Sequence, residues 1–439
     1  MADSETVTAH PAVAAHDQNA AHAFAATNRA DPRSREPRLP GIAVISSLFP
    51  SATQPTAGLL IRERMFRVAR ETELIVISPQ PWFPFQALIR RFRPGFRPGA
   101  PRSEVQQGIT VLFPRFFAVP GLLRSLDGLS MALAVAPLMR RLKRDRRVGI
   151  IDAHFAYPSG YAAMRLGNWL DLPVTITLRG TETRHLRHAA LRRRAIAAVS
   201  GATRVFSVSD SLRRLFVESG IPGEHIHVVG NGVDLEKFRP IARDAARRAL
   251  GLPETGRVLV SVGGLVDRKG FHRVIALLPE LMLRIPDVRY VIVGGPSAEG
   301  DNGAALRTQV RALGVDDRVH FTGPLPAEEV HVPLSAADVF VLSTANEGWA
   351  NVFLEAMACG LPVVTTDVGG NSEVVSKPEL GTIVPFGDAA ALKHALIDAL
   401  ERSWDRERII AHARANTWDS RIASLIAHFR LVASASARG

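Results

Sequence analysis

Cysteine is nearly missing from this 439-residue chain, and the single residue, Cys359, excludes an internal disulfide framework and a cysteine-based zinc cluster. A reducing, cytoplasmic setting fits. Long apolar runs are missing too. A spanning helix needs about 20 uninterrupted apolar residues. The nearest stretch, LDGLSMALAVAPLM from Leu126 to Met139, contains Asp127 and Pro137 and ends in RRLKRDRR. It predicts a buried or surface-lying helix. Residues 1–38 lack a basic start followed by an apolar core; rich in Ala, His, Asp and Asn, they predict a disordered tail and not a signal peptide. There is no G-x-G-x-x-G fingerprint, which disfavours a dehydrogenase, no D-x-D metal motif, and no short-period repeat.

What is present is an ordinary globular composition, with 46% hydrophobic and 22% charged residues. The length exceeds what one core usually organises and predicts two domains. The net charge of +12 is unevenly spread, with +14 in residues 1–240 and −2 in residues 241–439. It concentrates in RRFRPGFRPGAPR (Arg90 to Arg102) and RRLKRDRR (Arg140 to Arg147), the first preceded by the aromatic run PWFPF from Pro81 to Phe85. Such a surface attracts polyanions: nucleic acid, an anionic membrane, or a phosphorylated acceptor. The plain alternative is a solvated basic surface with no dedicated partner.

Short β-branched runs recur in the first half, GIAVISS, ELIVIS, GITVLF, GIIDAHF, PVTITL, TRVFSVS and HIHVVG, with helical periodicity between most of them. After NGVDLEKF the scheme repeats in RVLVSVGG, VRYVIVGG, RVHFTG, ADVFVLST, PVVTTD and GTIVPF. Alternation of this kind predicts an α/β protein with one doubly wound, Rossmann-like parallel sheet per half. The expected organisation is a first domain over 39–230, a second over 231–405, and a C-terminal helix and tail over 406–439 anchored by Trp418.

Two strand ends in the second half carry paired glycines, Gly263–Gly264 and Gly294–Gly295, where doubly wound sheets admit ligands. The first continues as GGLVDRKGF, placing Arg268 and Lys269 just before a helix from about Gly270. Two cations beside free backbone amides suit a diphosphate; two exposed charges on a turn are the plain alternative. The segment STANEGWANVFLEAMACG weighs against that alternative. It predicts a loop holding Glu347 and a helix over about Ala350 to Cys359 that contains Glu355 on an apolar face. A carboxylate so placed is costly unless it meets a ligand or donor, and a ribose offers it two hydroxyls. The amides near Asn351 and Val352 then face the phosphates.

With these motifs in place the chain resembles the retaining family 4 glycosyltransferases of the GT-B fold. Glu347 and Glu355 have the E-x7-E spacing, VGGLVDRKGF looks like the phosphate loop, and NGVDLEKF like the interdomain stretch. SSLFPSATQPTAGLLIRERMF, IDAHFAYPSG and ITLRGTE resemble the motifs of the acceptor domain. The resemblance covers about Gly41 to Val432 and implies two Rossmann-like domains facing across a cleft, with C-terminal helices crossing back.

It also implies roles. Glu355 holds the donor ribose, with Gly263, Gly264, Gly294, Asn351 and Val352 as further donor contacts. Glu347 meets the transferred sugar, and Arg268 and Lys269 neutralise the departing diphosphate. His154 is the first-domain histidine near the reacting sugar, and Gly58 belongs to a flexible loop where acceptor and phosphate meet. Two positions depart from the pattern. Gly264 stands where many members have an arginine, and Arg179 stands where the T-L-H-G loop has its histidine, so that it contacts an anionic acceptor or phosphate. The expected reaction is transfer of a hexose from a nucleoside-diphosphate sugar to an acceptor hydroxyl, with retention and with neither metal nor other cofactor. Motifs most like those of exopolysaccharide and cell-envelope members point to a saccharide or lipid-linked acceptor and a peripheral position at the inner face of the cytoplasmic membrane. An epimerase or phosphorylase with a similar donor site is the alternative enzyme. A non-enzymatic nucleotide- or nucleic-acid-binding protein using the +14 half is the remoter alternative; nucleic acid is not an expected partner, because the aromatic residues do not interleave with base-reading motifs.

Overall fold

The computed structural model describes residues 39–55, 57–92, 96–97, 99–297 and 299–436. The tail expected over 1–38, and Arg93 of the basic run, lie outside them.

The first half contains β1 (Ile42–Ile45), β2 (Leu74–Ile77), β3 (Gln80–Trp82), β4 (Ser103–Gln106), β5 (Ile109–Leu112), β6 (Arg115–Phe117), β7 (Ile150–His154), β8 (Val174–Leu178), β9 (Arg204–Ser207) and β10 (Ile226–Val228). Eight of these form one sheet in the order β10-β9-β8-β7-β1-β2-β5-β4, parallel except for the β4–β5 edge. β1 is central, with Ile42 in register with Leu74 on one side and Ile150 on the other. Its sequence, IAVI, is buried throughout. A strand covered on both faces reads as an unbroken apolar run, which is why it was visible in the sequence. β3 and β6 pair in a small separate sheet, and neither they nor β4 were foreseen. β3 is three residues long with a proline inside it, and β4 alternates around an exposed edge.

The second half contains β11 (Val258–Val262), β12 (Arg289–Val293), β13 (Val319–Gly323), β14 (Val339–Leu342), β15 (Val363–Thr366) and β16 (Gly381–Val384). They form one parallel sheet in the order β13-β12-β11-β14-β15-β16. One face is covered by a core including Phe340, Phe353 and Met357, the other by a core including Phe271, Leu278 and Tyr290. The strand order reverses between β11 and β14, and in the first sheet between β1 and β7. Each reversal opens a crevice beyond the strands' carboxyl ends, where ligands bind in this architecture.

The helix Arg406–Arg414 packs on the helix Asn351–Ala358 of the second half. Trp418–Ser436 then crosses back to the first half. Phe429 meets Phe206 edge-on at 6.0 Å, and His428 lies 4.5 Å from His227. Trp418, at the start of this helix, is buried beneath the Arg67 guanidinium at 5.4 Å. Polar ties join the halves elsewhere. Arg67 pairs with Asp234 at 2.7 Å and Lys237 with Glu63 at 3.2 Å. Glu373 accepts from the amides of Asp210 and Ser211 at 2.6 and 2.9 Å, at the start of the helix Asp210–Val217. That is where a carboxylate meets the positive end of a helix dipole.

Candidate active site

The loops leaving β11 and β14 border a cavity of about 730 Å³. Gly263, Gly264, Lys269, Glu347, Val352 and Glu355 line it from the second half. The first half closes it with Leu59, Leu60 and Glu63 of the helix Leu59–Val68, and Lys237 reaches in from the segment between the sheets.

At one wall Glu347 collects three donors on a single oxygen, Oε1. Lys269 Nζ lies at 2.7 Å, Arg268 Nη1 at 3.0 Å and Thr344 Oγ1 at 3.1 Å. Arg268 is held on its other side by Glu299, at 2.9 and 3.0 Å. Burial opposes the Arg268 charge, but the bonds to Glu299 and the attraction of Glu347 outweigh it and raise its pKa above the ordinary value. Arg268 is thus fixed behind Glu347, and of the two neighbouring cations only Lys269 lines the cavity.

Glu355 projects from the helix Asn351–Ala358, which starts one residue later than the sequence suggested and ends one earlier. Its carboxylate has no side-chain hydrogen bond or ion pair among the described residues. Burial pushes its pKa up to about 7, against the pull of Lys269 and Lys237. A half-desolvated carboxyl without a protein partner, bordering a cavity, is prepared for an external donor such as a sugar diol.

Of the other expected residues, Asn351 lines the cavity, while Gly294, Gly58, His154 and Arg179 do not. Gly294 packs on Gly263, since a Cβ there would sit 1.8 Å from the Gly263 oxygen. It supports the loop from behind and does not border the cavity. The Asn351 side chain bridges Asn231, at 2.9 Å, and the Gly232 carbonyl. It ties the helix to the segment joining the two halves. Gly58 precedes the helix Leu59–Val68 in left-handed conformation, φ 69°.

His154 and Arg179 line none of the cavities described here, and both belong to a buried polar cluster. His154 is fully buried at the end of β7. Its Nδ1 accepts from Arg179 Nε at 3.1 Å, which fixes the Nε2–H tautomer, and Nε2 lies 3.4 Å from Asp152. Burial, with Arg179 and Arg64 adding, drives its pKa well below the ordinary value, so the ring is neutral. Arg179 is held down to about 9 and Arg64 to about 10, in each case mainly by burial. Both therefore stay charged at neutral pH. Asp152 is pushed up to about 6 by burial, against Thr175, Arg64 and Arg179. Glu182 completes the cluster by accepting from the amides of Ala156, Arg179 and Gly180. Two guanidiniums thus meet two carboxylates. Arg64, Asp152 and Glu182 all stand in motifs quoted from the sequence, but nothing in one dimension brought them together.

A second compartment of about 340 Å³ adjoins the first-half loops, bordered by Tyr157, Thr181, Arg124, Arg184, His185 and His188. It lies beside the Glu347 loop: a Cβ on Gly348 would come 2.5 Å from the Arg179 carbonyl. Lys237 was also overlooked, although the chain has only five lysines and two of them, Lys237 and Lys269, line the larger cavity.

This architecture recurs in known structures. Sucrose-phosphate synthase from Thermosynechococcus elongatus superposes with a TM-score of 0.73 at 21% identity, covering 90% of this chain and 100% of that one. HepE of Anabaena, in complex with UDP-glucose, superposes with a TM-score of 0.65 at 20% identity, covering 89% and 100%. At these identities the likeness concerns the fold, and that fold is GT-B. Residues 68–237 match the family described as Glycosyltransferase Family 4 and residues 242–416 the one described as Glycosyl transferases group 1. A putative teichuronic acid biosynthesis glycosyltransferase, TuaC of Bacillus subtilis (strain 168), is 30% identical over 364 residues, spanning 80% of this chain and 87% of that protein. The chain belongs to the family 4 glycosyltransferases of the GT-B fold.

Proposed function

We propose that the protein transfers a hexose from a nucleoside-diphosphate sugar to the hydroxyl of a saccharide acceptor, with retention and without a metal. The carrying observation is that one cavity, closed by both halves, brings Glu355, Glu347, Lys269 and the Gly263–Gly264 loop together. In this reading the ribose occupies the unpartnered Glu355 carboxylate and the diphosphate lies against Lys269 and the backbone of Gly263 and Gly264. The transferred sugar then meets Glu347. Lysine and the Arg268 behind it stabilise charge on the leaving phosphate, the part a cation plays in other phosphate chemistry. The UDP-glucose complex of HepE and the name of TuaC support a nucleotide-sugar donor and a cell-envelope acceptor.

We place the acceptor on a lipid carrier at an anionic membrane. Phe85 and Phe92, just before and at the end of the helix Gln86–Phe92, are each 78% exposed, and the helix carries Arg90 and Arg91 in its last turn. Phe83 and Phe96 pack against each other with Arg97 over both rings and are not part of that exposed face. Among the described residues no helix is long and apolar enough to cross a membrane. A thermal-shift screen against UDP-, GDP- and ADP-sugars tests the donor assignment: one base should raise the melting temperature, and Glu355→Ala should abolish the shift. Stabilisation that survives this substitution would remove the ribose assignment.

A further inference from the structure

Ser47 borders the compartment beside Thr181 and also a third cavity, of about 430 Å³. This cavity is built by β3, β6 and the helix Gln86–Phe92, the elements that the first sheet does not need. Arg90, Arg97 and Arg115 line it, and the described residues lining it include no carboxylate. Arg90 and Arg97 are pinned: Arg90 donates to the Arg97 carbonyl at 2.7 Å, and Arg97 to the Ala118 carbonyl at 2.7 Å. Among the described residues the carboxylate acting on Arg97 is Asp127, which does not line the cavity. Arg115 forms no ion pair among the described residues. Beside these cations stand three amides, Gln54, Gln80 and Gln86, and the indole of Trp82, which is 39% exposed. Gln86 is itself buried at 5% exposure, with its Oε1 unpartnered.

We infer that this cavity is a second acceptor subsite, for an acidic sugar one residue beyond the sugar that receives the transferred hexose. The inference rests on the transferase reading above and adds the substrate class: an oligosaccharide carrying a carboxylate, not a lone monosaccharide. Guanidinium groups with no carboxylate beside them on the cavity wall favour an anion, and their planar fork suits a carboxylate or phosphate. Amides paired with an indole select something more. Amides exchange hydrogen bonds with hydroxyls, and an indole face covers the C–H face of a pyranose. A bare pyrophosphate uses the cations and leaves the amides and indole idle, so the acidic sugar satisfies the wall better than a carrier's pyrophosphate does.

Calorimetric titration of the full chain tests this with three probes: a glucuronosyl–N-acetylglucosamine disaccharide, its neutral glucosyl counterpart, and inorganic pyrophosphate. The acidic disaccharide should bind about tenfold tighter than the neutral one, as expected for one added charge-assisted contact. Arg115→Gln should erase that preference and Arg115→Lys restore part of it. Trp82→Ala should weaken both disaccharides equally. Equal or absent binding of the two disaccharides, or pyrophosphate binding tighter than the acidic disaccharide, overturns the inference. UDP, GDP and ADP titrated into the same protein report on the donor cavity separately. Binding of one of them while the disaccharides fail to discriminate sinks the acidic subsite alone; no nucleotide binding at all contradicts the transferase reading instead.

Discussion

Lys269 donates to Glu347 across 2.7 Å, and Arg268 reaches the same carboxylate oxygen at 3.0 Å. The cations proposed for the diphosphate are therefore neutralised by the carboxylate proposed for the sugar. In the proposed reading an entering diphosphate competes for Lys269 and frees Glu347 for the sugar hydroxyls. Charge grows on that diphosphate as the glycosidic bond breaks, so both cations act more on the transition state than on bound donor. Lys269→Ala and Arg268→Ala should each lower kcat by about 10²- to 10³-fold and raise the donor KM by much less. Steady-state kinetics separates this from uniform binding, in which only KM moves. Full activity after EDTA treatment is the companion expectation. Loss restored by Mg²⁺ or Mn²⁺ contradicts the metal-free mechanism.

Glu355, at about pKa 7, gives the site a pH dependence. Only the ionised carboxylate accepts from both ribose hydroxyls, so donor affinity should rise with pH through about 7 and fall below it. The stability of the empty protein runs the other way. A carboxyl whose folded pKa is raised above 4.5 contributes stability that is complete below 4.5 and lost as pH rises through about 7. Glu355→Gln should therefore make the empty protein melt higher at pH 8 while weakening donor binding by about 10- to 100-fold. A variant that melts lower at pH 8 contradicts the unpaired carboxylate.

Arg179 stands between His154 and Asn231 within the buried cluster. Removing one partner from such a cluster leaves a buried carboxylate uncompensated, at a cost of about 3–5 kcal/mol. Arg179→Ala should lose that much in urea unfolding. A loss below about 1 kcal/mol, the range of exposed ion pairs, means that the cluster is open to solvent.

The membrane surface is tested by vesicle co-sedimentation. Each arginine near an anionic leaflet contributes about 1 kcal/mol. Replacing the exposed Arg91 by glutamine should therefore lower binding about fivefold, and Phe85→Ser with Phe92→Ser should lower it further. Salt should weaken it. Equal sedimentation with neutral vesicles rules this docking face out.

The sequence was most readable where physics is local. Wholly buried parallel strands such as IAVI and LIVI appear as unbroken apolar runs, and Glu347 and Glu355 lie on one loop and the helix that follows it. Gly294, by contrast, looks like Gly263 in one dimension, yet one loop lies on the other and only Gly263 reaches the cavity. The pairing of Arg268 with Glu299, and of Arg179 with His154, depends on loops from separate strands. Both arginines were read as free to meet ligands because their partners are 31 and 25 residues away. β3 and β6 escaped notice for a related reason, since three-residue strands have no period to show.

The most direct test of the account follows the anomeric carbon. With an α-configured donor of the base found by thermal shift and a saccharide alcohol as acceptor, proton NMR of the early product reports the configuration of the new linkage. The account predicts an α-linked glycoside, formed equally well in EDTA and lost in Lys269→Ala. A β-linked product, or free sugar or sugar phosphate in place of a glycoside, would contradict it.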